Sequence, residues 1–204
     1  MRLRIKTTFA ALLTVAALSA VTAVAQNPTP AANASGMPSR AELALGYTYL
    51  HSNAPPGGCG CFNLNGGSAD FAWAIKPGRW DVVGDVVGGY ASGVSAAGYG
   101  LTLTAFTGGV RYLPPMGHSS FQPFGQVLAG VAHSSGTLVR GSQSATTNAG
   151  AAFAANIGGG LDLRVNHRFS ARLAEADYLL TTFDNGTNNH QNNLRISAGV
   201  VIHF

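Results

Sequence analysis

From Leu194 to Phe204 every second residue is apolar: Leu194, Ile196, Ala198, Val200, Ile202 and Phe204. The residues between them, Arg195, Ser197, Gly199, Val201 and His203, are polar or small with one exception. A strand turns successive side chains to opposite faces, so this segment has one apolar face and one polar or small face. The same alternation recurs upstream and predicts eight strands: 42–51, 68–75, 80–91, 101–113, 121–133, 151–164, 169–183 and 193–204. In 101–113 Leu101 and Leu103 share one parity while Phe106, Val110 and Tyr112 share the other, which predicts a β-bulge within 104–108. A parity change between Phe169, Ala171, Leu173 and Tyr178, Leu180 predicts another near Ala174, within 173–176.

The connections alternate in length. Those after strands two, four and six are turns of about four to seven residues, the first carrying Pro77 and Gly78 at turn-favoured positions. Those after strands one, three, five and seven are polar loops of about nine to sixteen residues. An even number of strands, short turns at one end and longer loops at the other describe an outer-membrane barrel. About 9–11 tilted residues cross the hydrocarbon, apolar side chains outward. The expected architecture is therefore all-β: an eight-stranded antiparallel up-and-down transmembrane barrel, with 26–40 as a flexible periplasmic linker and 41–204 as the barrel domain.

The start of the chain supplies a route out of the cytoplasm. Arg2, Arg4 and Lys6 precede an apolar run from Phe9 to Val24, and Ala23-Val24-Ala25 is a small-x-small cleavage site. Residues 1–25 are expected to be a cleaved signal peptide. The whole chain carries 12 basic and 8 acidic residues, net +4. Without those three cations the balance is 9 against 8, about +1. That gives no reason to expect nucleic-acid binding, which needs a basic face. No later apolar run approaches the roughly 20 residues of a membrane helix.

The order of several short motifs resembles the small outer-membrane β-barrel family, of the OmpA/OmpX-like kind. They are Asp85-Val86-Val87-Gly88-Gly89-Tyr90, Thr107-Gly108-Gly109-Val110-Arg111-Tyr112, Pro123-Phe124-Gly125-Gln126, Gly158-Gly159-Gly160-Leu161-Asp162, Arg172 through Asp177-Tyr178, and Ser197-Ala198-Gly199-Val200-Val201 to Phe204. The resemblance covers 41–204. It implies bacterial outer-membrane localisation and insertion by the barrel assembly machinery, which reads the aromatic C-terminal strand ending on Phe204. It implies no activity, cofactor or metal, and no cell-wall tether is expected.

Charges within strands carry the remaining chemistry. Asp70, Asp81, Asp85, Asp162, Glu175 and Asp177 stand beside Arg111, Arg164, Arg172 and Arg195. A charge facing lipid costs several kcal/mol near the midplane, so these are expected to point inward as one polar network filling the lumen. Asp85 and Arg111, on neighbouring strands, are expected to belong to it. Cys59 and Cys61, the two cysteines, can form a disulfide in an oxidising compartment, although a one-residue spacer makes a small strained ring. Trp73, Trp80, Tyr47, Tyr49, Tyr112, Tyr178, Phe183 and Phe204 are expected as interfacial girdles. His167, Ser170 and Glu175 are the residues weighed as a catalytic group, without a motif around them.

The function this favours is a monomeric outer-membrane barrel with a filled lumen. It would touch membrane lipids and act structurally, or through its four polar outer loops on an extracellular partner. The alternatives are a narrow channel for small solutes or ions, a lipid-modifying enzyme, and a soluble lipocalin-like barrel with inverted faces.

Overall fold

A computed structural model of the chain describes residues 40–52, 61–76, 79–93, 100–117, 119–136, 150–183 and 189–204. Eight strands follow in order: β1 (Ala41–Ser52), β2 (Phe62–Lys76), β3 (Trp80–Ala91), β4 (Leu101–Tyr112), β5 (Phe121–Gly136), β6 (Gly150–Arg164), β7 (Phe169–Thr181) and β8 (Gln191–His203). Each pairs antiparallel with its neighbours, and β8 pairs with β1 to close the barrel. Closure removes both sheet edges, so every strand has a partner on each side. The seam register sets Glu42 opposite His203 and Thr48 opposite Ser197. Three short connections, 77–79, 113–120 and 165–168, lie at one rim. Pro77 and Gly78 are outside the described residues, but the Arg79 amide donates to the Lys76 carbonyl at 3.0 Å and closes that turn.

Two strands differ from the expected pattern. β2 begins six residues earlier, at Phe62 rather than Ser68, so Asn63 and Asn65 lie in a strand and not in a loop. β4 has no bulge; its registers with β3 and β5 run unbroken from Leu101 to Tyr112. Leu101 and Leu103 are buried in the barrel, whereas Phe106, Val110 and Tyr112 are exposed outside it. Both faces of β4 are apolar, at opposite ends of the strand. The irregularity in β7 lies at Leu173–Ala174, where its registers with β6 and β8 both shift.

The exterior is where apolar side chains collect. Leu45, Phe71, Val82, Val86, Val127, Val131, Ile157, Leu173, Ile196 and Val200 are exposed. Toward the short-turn rim this belt ends in Trp73, Trp80, Tyr112, Phe121, Phe169 and Phe204. The Trp80 and Tyr112 rings touch at 4.8 Å. Toward the loop rim outward positions on β2, β4 and β5 turn polar and uncharged, with Asn63, Asn65, Thr102, His133 and Ser135 exposed, while Tyr90 and Phe153 stay exposed on β3 and β6. A continuous apolar band of this extent on a soluble surface would be a liability; in hydrocarbon it is the required solvent match.

Candidate functional site

Inward positions on the short-turn half of the barrel carry the charges. The bulge in β7 turns both Arg172 and Glu175 into the lumen, three residues apart, and their side chains pair at 2.9 Å. Arg172 also holds Asp70 at 2.6 Å and Asp162 at 2.9 Å. Asp70 in turn accepts from Arg111 at 3.0 Å. Arg195 grips both oxygens of Asp85 at 2.9 Å, a planar two-point match, and lies 3.7 Å from Glu175 and from Asp177.

Gln126 joins the two halves of this network. Its Oε1 accepts from Arg111, and its Nε2 donates to Glu175 at 2.8 Å and Asp177 at 3.4 Å. The Phe124 ring lies under two guanidiniums, with the Arg111 and Arg172 carbons 4.3 and 4.6 Å from its centre. Gly160 makes room for that ring, since a Cβ there would stand 2.7 Å from Phe124. Gly158 likewise leaves space for Asp177.

The structure brings together Asp70, Asp85, Arg111, Asp162, Arg172, Glu175, Asp177 and Arg195. Asp85 and Arg111 do not pair directly; Asp85 takes Arg195, and the link to Arg111 runs through Glu175, Arg172 and Asp70. Asp81 is buried opposite Arg111 in the β3–β4 register without an ion pair among the described residues. Arg164 is not part of the network. It has inward parity but stands at the last position of β6, past the barrel interior, and is exposed. Phe124 and Gln126 are partners that sequence reasoning did not name as such; their inward parity on β5, between Gln122 and Leu128, was the available signal.

Above the charges the lumen changes character. Leu50, Leu64, Val87, Leu101, Leu103 and Leu179 are buried in one cluster toward the loops. Phe183, expected at the exterior girdle, belongs to this cluster instead and is buried. It follows the end of β7 and turns in with the chain. An apolar stopper therefore sits on a charged one. Where they meet, Asn156 is buried opposite Leu128 and Leu179 with neither amide atom bonded, and one oxygen of Asp177 is likewise unbonded.

His167, Ser170 and Glu175 do not converge. His167 is exposed in the β6–β7 turn, and Glu175 belongs to the ion network. Ser170 instead meets His203 Nε2 at 2.7 Å, whose Nδ1 lies 3.1 Å from Glu42. This relay ties β7 to β8 to β1 across the closing seam. It was not legible beforehand because it depends on the seam register. Its serine is 4 % exposed, and the flanking backbone amides belong to the sheet ladders. Among the described residues no group of three His, Cys, Asp or Glu side chains is placed to hold a metal. Cys61 is exposed and carries a free thiol, and Cys59, its possible disulfide partner, lies outside the described residues.

No family model matches the sequence, and no curated protein matches it. Solved structures do. Neisserial surface protein A superposes with a TM-score of 0.60 at 14% identity, over 81% of this chain and 98% of that one. Ail, the attachment invasion locus protein of Yersinia pestis, in complex with the heparin analogue sucrose octasulfate, superposes with a TM-score of 0.55 at 14% identity, over 82% of this chain and all of that one. The fold is that of the small outer-membrane barrels.

Proposed function

We propose that this chain is an integral outer-membrane barrel whose lumen is sealed, acting structurally or through its four polar loops at the cell surface. The observation that carries this is the sorting of side chains: apolar outside, charged and hydrogen-bonded inside. A soluble lipocalin-like barrel needs the reverse. In this reading residues 1–25 direct export and are removed, 26–40 form a periplasmic linker, and the short turns face the periplasm. Phe204 marks the strand that the assembly machinery reads, and no cofactor is required.

A sealed lumen follows from what fills it. Arg111, Arg195, Leu50, Leu64 and Leu101 are each at most 1 % exposed. A conducting path would have to cross both the ion network and the apolar cluster. Purified protein in a planar bilayer is therefore expected to give no steady conductance, and sustained unitary currents would overturn the sealed-lumen reading.

The loops carry few charges. Across 53–61, 92–100, 137–149 and 182–190 the sequence has one cation, Arg140, and one anion, Asp184. A strongly charged ligand, such as the sulfated heparin analogue bound by Ail, is not what this composition favours. An uncharged or weakly polar partner suits it better.

A further inference from the structure

Among the described residues, the charged side chains left outside the lumen all have one sign and lie at one end. Among the described residues, Arg40, Lys76, Arg79, Arg164 and Arg168 are exposed. They occupy the start of β1, the end of β2, the start of β3, the end of β6 and the start of β7, which antiparallel order places at the short-turn rim. Every described side-chain carboxylate faces the lumen: six are buried, and Glu42 is tied to His203. Among the described residues no acidic side chain pairs with any of these five cations. The outward positions at the opposite rim are uncharged, as Asn63, Asn65, Thr102 and His133 illustrate.

The cations stand beside the aromatic end of the belt. Lys76 and Arg79 flank the turn between β2 and β3, whose outward aromatics are Trp73 and Trp80. Around the barrel the arc runs from β6 through β7, β8, β1 and β2 to β3. The β4–β5 connection, 113–120, breaks it, having no charged residue. Aromatic rings settle at the headgroup level, and long basic side chains beside them reach outward to it. Guanidinium matches phosphate at two points, and ammonium meets it as a point charge.

We propose that this arc docks anionic phospholipid headgroups, with the five cations contacting lipid phosphates, so that the leaflet at the short-turn rim is enriched in such lipids around the barrel. This rests on the membrane reading above. The chain holds two tryptophans, both at this rim, so their fluorescence reports on the lipids that touch it. The full barrel would be reconstituted in mixed phosphatidylcholine and phosphatidylglycerol vesicles, with bromine on the acyl chains of one lipid or the other at equal mole fraction.

Quenching by brominated phosphatidylglycerol is expected to correspond to about two- to fivefold enrichment over its bulk fraction, falling toward random mixing at high salt. Lys76→Gln with Arg79→Gln should abolish most of the preference, while Lys76→Arg with Arg79→Lys should retain it. Equal quenching by both lipids in the unaltered protein would overturn the proposal and leave the membrane reading standing. Absence of quenching by either would overturn both.

Discussion

Asp85 and Asp177 face the same cation from neighbouring places in the lumen, and their partners differ. Asp85 receives two hydrogen bonds from Arg195 at 2.9 Å and one from Thr107 at 3.3 Å. Asp177 lies 3.7 Å from Arg195, accepts from Gln126 at 3.4 Å, and leaves one oxygen unbonded. Among the described residues five buried carboxylates share three buried guanidiniums, and Asp81 is buried beside them without an ion pair, so the network has acid in excess. Breaking a buried pair by removing one partner costs about 3–5 kcal/mol, because the other charge is stranded. Asp85→Ala should therefore lower stability by about that amount. Asp177→Asn keeps the shape, removes surplus negative charge, and should cost under about 1 kcal/mol or stabilise. Urea unfolding of the barrel in lipid vesicles measures both; equal losses would contradict the assignment of partners.

Within each strand, the lipid-facing positions carry a depth scale. On β5 the exposed outward residues run Phe121, Gly125, Val127, Ala129, Val131, His133 and Ser135. Val127 lies near the middle of the apolar portion. An arginine there should cost about 2–4 kcal/mol, whereas one at Thr102, in the polar collar of β4, should cost about 0–1 kcal/mol. Unfolding midpoints of Val127→Arg and Thr102→Arg test this, and similar values would place the belt wrongly. Strands such as β3 and β8 were legible in the sequence because only one parity is apolar outside and charges mark the other. β4 was misread because the assumption of one apolar face fails where the lumen itself turns apolar. Leu101 and Leu103 fill the upper lumen, Phe106 and Val110 face out, and no bulge is needed. The bulge in β7 was legible because Phe169, Ala171 and Leu173 share one parity and Tyr178 and Leu180 the other; the same shift lets Arg172 and Glu175 both face inward.

For the whole molecule, strand count, closure and the inward direction of most charges could be read along the chain, since each is a local alternation repeated eight times. The pairings inside could not. Arg195 meets Asp85 across 110 positions and Arg172 meets Asp70 across 102, so the contacts depend on registers summed around a closed sheet. The Ser170–His203–Glu42 relay is hidden for the same reason. As a unit the molecule is a closed barrel held by its own hydrogen-bond ladder, with the apolar exterior that the outer membrane requires. Unheated and boiled samples of isolated outer membranes, from cells expressing the full chain, would be compared on a detergent gel. A band that migrates differently only when unheated is the predicted result, because the barrel resists detergent until heat opens it. Recovery of the protein in the soluble periplasmic fraction, with no heat-dependent shift, would mean that the barrel is not lodged in the membrane.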